Sequence, residues 1–310
     1  MAPTRHHLYL CALLVAALLV GFAAPARAQV FEFTTKELKP GTVDPEVKAL
    51  EIRIAGWYPR DDQTQFVIDE TYDRQTRWAV AKFQKHYGLA VDGIAGTEVF
   101  EVLAKLEDKD RSTEHFDYSE FWQNKSSSCS RKANRYAGTF QGGKVPAWRV
   151  KANVRRLMWR LESLRAKAGD NPIGINSGFR SVAYNDCIGG ASLSQHMYGT
   201  AADLRVADVD NRTTRDLARA GQIHGIGCYS SLSHNHFDLR LQNPAVPEAS
   251  FWWWPRQDAT GRDLADDHLP CWGEKAPKDV GARMVPAHMS AAAIEAWEAA
   301  GEVHFDGAGD

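Results

Sequence analysis

The chain opens with a basic cluster, Arg5, His6 and His7, followed by an apolar run from Leu8 to Ala24. Ala26-Arg27-Ala28 then places small residues on either side of an arginine, just ahead of Gln29. A basic start, an apolar middle and a small-x-small end predict a cleaved export signal over residues 1–28. A retained membrane anchor is the competing reading. The run is short for a span, however, and the cleavage signal follows it directly.

After a polar lead-in the apolar positions return in two blocks. The first covers residues 40–107. Val47, Leu50, Ile52 and Ile54 begin an apolar segment that ends near Gly56, and a charged, turn-rich stretch follows from Tyr58. Thr76 to Tyr87 reads as an amphipathic helix, with Trp78, Ala79, Val80, Phe83 and Tyr87 as its apolar stripe. A glycine-punctuated loop from Gly88 to Gly96 leads to a last helix, capped by Thr97 and carrying Val99, Phe100, Val102, Leu103 and Leu106. The expectation is a small three-helix domain. Glu107 to Thr113 is charged and reads as a linker.

The second block covers residues 114–275. Trp148 to Ala166 is a long amphipathic helix with Val150, Val154, Leu157, Met158, Leu161 and Leu164 on one side, and Gly169 to Pro172 end it. Ile173 and Ile175, Ala202 to Val206, and His236 to Leu241 alternate like half-buried strands, and Thr213 to Ala220 is a short helix. Helices among short strands predict an α+β domain, a small antiparallel sheet with flanking helices. Phe251 to Pro255 is an aromatic cluster that either packs the chain end onto the domain or offers rings to a sugar. Residues 276–310 read as an extension, with a helix from Ser290 to Gly301 and a disordered end.

A chain of 310 residues accommodates two such domains. Its formal charge is −2, and loss of Arg5 and Arg27 with the leader makes the mature chain more acidic, which argues against a nucleic-acid partner. Four cysteines follow the leader: Cys129, Cys187, Cys228 and Cys271. In an exported chain an even number suggests two disulfides, and three pairings are possible. Cys129–Cys187 with Cys228–Cys271 is favoured, because each closes a loop around part of the candidate site. Zinc binding by these cysteines is the weaker reading, since no C-x-x-C pair is present. A monomer is expected.

The chemistry sits in three segments: Ser177-Gly178-Phe179-Arg180-Ser181, then Ser194-Gln195-His196-Met197-Tyr198-Gly199-Thr200-Ala201-Ala202-Asp203, then His234-Asn235-His236-Phe237-Asp238. Side chains two apart in a strand share a face. His234, His236, Asp238 and Arg240 would thus share one face, with Phe237, Leu239 and Leu241 on the other. Asp203 would leave its strand on the face opposite Ala202, Leu204 and Val206. His196 comes from the preceding loop, where Gly199 frees the backbone. Tyr198 is a candidate for lining the pocket. Two histidines and one carboxylate leave a tetrahedral zinc ion one open position, the pattern of catalytic zinc. Taken singly, each of these residues also has an ordinary structural reading, and a fourth protein ligand from Asp238 would make the site purely structural.

Two families resemble these patterns. Phe83-Gln84, Gly88-Leu89, Val91-Asp92-Gly93-Ile94 and Gly96 resemble the core of the type-1 peptidoglycan-binding domain, which implies cell-wall targeting; the charged 59–75 stretch departs from that family. Ser-x-His-x-x-Gly-x-Ala-x-Asp followed by His-x-His, after Ser-Gly-Phe-Arg-Ser, closely resembles the zinc D-Ala-D-Ala carboxypeptidases of peptidase family M15. That resemblance implies one zinc per chain on His196, Asp203 and His236, with Arg180 binding substrate and steadying the oxyanion. It suggests His234 as general acid or base, because the glutamate some relatives place three residues before the last ligand is here Ser233. Asp238 would act as base or orient a zinc-bound histidine. The implied enzyme is a secreted, cell-wall-associated hydrolase of peptidoglycan stem peptides. An endopeptidase of the same fold and a non-catalytic wall-binding protein are the alternatives.

Overall fold

A computed structural model describes residues 31–58, 66–129, 131–132, 134, 136, 138–140, 143–145, 147–191, 194–227, 234–239 and 252–254. The export signal, Ser233, Arg240, Leu241, Cys228, Cys271 and the 276–310 extension lie outside them.

The N-terminal unit holds three helices, α1 (Pro45–Ile54), α2 (Arg74–His86) and α3 (Thr97–Lys105), with a two-residue ladder between β1 (Glu37–Leu38) and β2 (Ala95–Gly96). Asp44 starts α1 by accepting from the Glu46 amide at 2.7 Å, and Pro45 stands in the first turn, where no amide is needed. Asp73 likewise starts α2, two residues earlier than the apolar pattern indicates, because its carboxylate takes the Gln75 and Thr76 amides. Trp78 departs from the expected stripe. It is 46% exposed and lies under the Arg74 guanidinium, 5.0 Å from the ring centre. At α3 the cap is Gly96, and Thr97 is the first helical residue. The Gln84 amide explains much of the glycine-loop motif: it donates to Asp92 Oδ1 at 2.8 Å and Ile94 O at 2.9 Å, and accepts from the Gly93 amide.

Two elements lead into the second unit, α4 (Tyr118–Phe121) and a hairpin of β3 (Gly138–Phe140) and β4 (Gly143–Val145). Next come α5 (Ala147–Lys167), β5 (Ile173–Ser177), α6 (Val182–Cys187), β6 (Ala201–Val206), α7 (Asn211–Ala220), β7 (Gly225–Gly227), β8 (Asn235–Asp238) and β9 (Trp252–Trp254). The described sheet has the order β5-β6-β8-β7-β9, antiparallel throughout except that β9 runs parallel to β7. The aromatic run therefore contributes an edge strand, which ties that part of the chain to the domain. The architecture is the expected α+β arrangement. Cys129 and Cys187 are joined as a disulfide with Cα atoms 5.9 Å apart, so the loop after α4 is fastened to the end of α6.

Helix α5 belongs to both cores. Val150, Val154, Leu157, Met158, Leu161 and Leu164 pack with β5, β6 and β8, whereas Trp159 and Ala166 on another side pack with α1 and α2. The amphipathic pattern reveals only the first of these faces, because the second is set among arginines. At the seam a Cβ on Gly56 would stand 2.0 Å from Ser163 Oγ, so only glycine lets the 3-10 turn Ala55–Trp57, which follows α1, approach this closely. The Phe66 amide donates to Gln222 Oε1, and Arg53 pairs with Glu107 in a buried salt bridge at 2.6 Å.

Candidate metal centre

Strands β6 and β8 are neighbours, and their register sets Asp203 directly opposite His236. Asp203 Oδ1 lies 2.9 Å from His236 Nδ1. His196 arrives from the short 3-10 turn Gln195–Tyr198. Gly199 then turns the chain back into β6 with φ +73°, and a Cβ there would meet the Val150 carbonyl oxygen at 2.6 Å. His196 Nε2 consequently sits 3.1 Å from His236 Nδ1 and 3.4 Å from Asp203 Oδ1. One donor atom from each residue lies within 4.8 Å of the others, and all three side chains are buried. Tyr198, the candidate for lining the pocket, is buried in the apolar core cluster that includes Val150 and Val154.

Each of the three residues is also held from its outer side. His196 Nδ1 lies 2.7 Å from the Gly178 carbonyl, which can only accept, so Nδ1 carries the proton and Nε2 turns its lone pair inward. His236 Nε2 faces Asp238 Oδ2 at 3.2 Å. Asp203 Oδ2 accepts from Arg180 Nη2 at 2.9 Å, and Arg180 Nε donates to Ser177 Oγ at 3.0 Å. The Ser-Gly-Phe-Arg-Ser segment thus positions two members of the cluster. Gly178 is required there, since a Cβ would stand 2.5 Å from the Phe121 backbone.

The electrostatics fit a cation. Burial, then the Arg180 charge, lowers the His196 pKa to about 4, so this imidazole is neutral and free to ligate. Burial alone would raise the Asp203 carboxyl, but His196 and His236 outweigh it and hold Asp203 well below the usual carboxylate range. Burial alone would lower His236, but its bonds to Asp203 and Asp238 outweigh that and raise it. Two inward nitrogens and one carboxylate oxygen form the donor set of a catalytic zinc site, and no fourth His, Cys, Asp or Glu joins the cluster among the described residues.

His234 stands just before β8, half-buried, within electrostatic reach of Asp203, Arg205, His236 and Arg180; burial lowers its pKa. The expected face of His236 and Asp238 is present. The opposite face begins with buried Asn235, whose amide donates to Asn211 Oδ1 and accepts from Arg215 on α7. Two supporting residues, Asn134 and Gly225, carry no mark in the sequence, and a third, Gly178, acts through an atom the pattern does not single out. Asn134 donates to the Trp122 and Phe179 carbonyls and accepts from the Ser181 amide, which pins the arginine segment. Gly225 lies opposite Asp238 in β7 and leaves the space its carboxylate fills: a Cβ would stand 2.1 Å from Oδ2. The Gly178 carbonyl belongs to a recognised segment, but the pattern gives no sign that its oxygen is the orienting atom.

Residues 115–238 match the peptidase M15 family, and residues 43–103 match a putative peptidoglycan binding domain. The chain is 40% identical over 188 residues to a zinc D-Ala-D-Ala carboxypeptidase from Streptomyces albus G, spanning 61% of this chain and 67% of that protein. A crystal structure of a peptidoglycan-binding protein from Clostridioides difficile, in complex with glutamine hydroxamate, is 34% identical over 25% of this chain and 46% of that one, with a TM-score of 0.21, too limited a likeness to bear on the fold. With a peptidoglycan-binding domain ahead of its His–Asp–His cluster, the chain belongs to the peptidase M15 family and is a zinc metallopeptidase.

Proposed function

We propose that this enzyme is a secreted D,D-carboxypeptidase that removes the terminal D-Ala from peptidoglycan stem peptides at the cell wall. The observation that carries this reading is the buried convergence of His196 Nε2, Asp203 Oδ1 and His236 Nδ1, each backed by an outer partner. The 40% identity to a D-Ala-D-Ala carboxypeptidase supports the choice of bond. In this reading residues 1–28 are removed on export, 40–107 hold the wall, 114–275 cut, and 276–310 are an extension.

His196, Asp203 and His236 would hold one zinc. When bound there, zinc supplies Lewis acidity, polarising the scissile carbonyl and bringing the pKa of water towards neutrality. His234, neutral because burial lowers its pKa, takes the proton of the attacking water and returns one to the leaving D-Ala amine. Arg180 is fixed by Asp203 and Ser177 with its guanidinium partly exposed, and it sets positive charge beside the developing oxyanion. Asp238 orients His236. No side chain forms a covalent acyl-enzyme, so penicillin should be a poor inhibitor.

The test is product identification by mass spectrometry, with a pentapeptide ending in D-Ala-D-Ala and with intact sacculi. Release of one D-Ala per pentapeptide, stopped by chelator, is expected. Cleavage of sacculi within the stem or at cross-links, with the pentapeptide untouched, would replace this reading by an endopeptidase. Potent penicillin inhibition with covalent labelling would overturn the mechanism.

A further inference from the structure

A cavity of about 450 Å³ lies between α4, Tyr136 and the first turns of α5. Trp122 forms one wall and is 40% exposed, unusual for a tryptophan that also packs against another ring. Its ring lies 4.8 Å from that of Tyr136, and Tyr136 lies 5.6 Å from Phe179. Phe179 sits between Gly178, whose carbonyl orients His196, and Arg180, which holds Asp203. The Asn134 amide clamps the same junction, donating to both the Trp122 and Phe179 carbonyls. One loop therefore forms both the back of this cavity and the support of the metal ligands.

The lining is of mixed character. Trp122, Trp148 and Tyr118 supply ring surface, Asp110 and Asp117 supply acceptors, and Lys151 supplies donors, its Nζ 4.7 Å over the Tyr118 ring. Lysine disfavours a cationic guest, and two carboxylates disfavour an anionic one. A neutral ring with an apolar face and a rim of hydroxyl and amide groups satisfies all of them. Resting on the reading above, that the site cuts stem peptides, we propose that this cavity binds an N-acetylated amino sugar of the glycan to which the stem peptide is attached. The peptidase would then recognise its substrate by both sugar and peptide, independently of the N-terminal domain.

The test uses the full chain and two substrates, a free pentapeptide and the same peptide on a GlcNAc–MurNAc disaccharide, together with the peptide-free disaccharide as a binding probe. The wild type should show a kcat/KM about tenfold higher for the sugar-bearing substrate, as one ring stacked on Trp122 would give. Trp122→Ala should abolish that preference, and Trp148→Ala, on α5 and outside the Trp122–Tyr136–Phe179 stack, should weaken it while leaving free-pentapeptide turnover unchanged. Asp117→Asn, which keeps the helix cap, should reduce the preference in part and covers the case that Trp122→Ala does not fold. Equal kcat/KM for both substrates in the wild type would overturn the proposal, as would an equal loss on both in the variants. A loss confined to peptides with a basic side chain, the same with and without sugar, would assign the cavity to that side chain and also overturn it. If neither substrate is cut, the carboxypeptidase reading falls, and the disaccharide then decides alone: calorimetric binding that weakens in Trp122→Ala upholds the sugar site, and unchanged or absent binding ends it.

Discussion

Asp238 and Gly225 form a pair whose substitution separates an orienting carboxylate from a catalytic one. A Cβ placed on Gly225 would lie 2.1 Å from Oδ2, 2.2 Å from Cγ and 2.3 Å from Oδ1 of Asp238. Ordinary contact needs about 3.5 Å, so the carboxylate must retreat by roughly 1 Å. Its Oδ2 is already 3.2 Å from His236 Nε2, and that retreat takes it beyond hydrogen-bond reach. A hydrogen bond to a charged group contributes about 1.5–3 kcal/mol, which corresponds to roughly ten- to a hundredfold in zinc Kd. Gly225→Ala and Asp238→Asn should therefore weaken zinc to a similar extent, by that factor. Chelator competition measures the affinity, and kcat at saturating zinc measures what remains. Both variants should recover most of their kcat once zinc is saturating. If Asp238→Asn binds zinc as tightly as the wild type yet loses kcat by a hundredfold or more, Asp238 is the base, and the orienting role is refuted.

Four further outcomes follow from the same geometry. His234→Gln should retain zinc while kcat falls by about 10²–10⁴, as removal of a general base does; unchanged kcat would exclude the role. Arg180→Ala removes the partner of Asp203 Oδ2 as well as charge at the oxyanion, so kcat should fall about 10²–10³-fold, with Arg180→Lys only partly restoring it. Serine at both Cys129 and Cys187 opens a loop with a sequence separation of 58, which should cost about 4 kcal/mol in chemical denaturation; no change would mean that the link does not constrain the unfolded chain. Burial pushes the Glu51 carboxyl up to about 8, well above its unfolded value of 4.5, so the stability it contributes is full below pH 4.5 and lost as pH rises towards 8. Glu51→Gln should accordingly gain stability over the wild type at pH 8 and show little difference at pH 4; the opposite trend would contradict the buried-acid assignment.

Two members of the cluster, Asp203 and His236, were legible because strand periodicity is strict. Asp203 opposite the Ala202–Leu204–Val206 face, and His236 with Asp238 opposite Phe237, need only a period of two, and β6 and β8 keep it. The long stripe of α5 was legible for the same reason at helical spacing. Its second face was not, because Trp159 packs into the N-terminal core among buried Arg155, Arg156 and Arg160, which read as solvent-facing in a one-dimensional pattern. Trp78 shows the converse: an aromatic at a stripe position that instead stays exposed beneath Arg74. The supports of the centre are hidden for a further reason. The Gly178 carbonyl, the Asn134 amide and the space over Gly225 act through backbone atoms, a loop residue or a missing Cβ, none of which alters hydrophobic periodicity.

The most direct test of the central claim is zinc titration into the chelated protein, following D-Ala release from the pentapeptide. Activity should return linearly and saturate at one zinc per chain, while His196→Ala, which removes one of the three converging donors, should show neither tight binding nor recovery. Full D-Ala release by the metal-free protein, or by His196→Ala without bound zinc, would contradict the assignment of His196, Asp203 and His236 as the catalytic metal site.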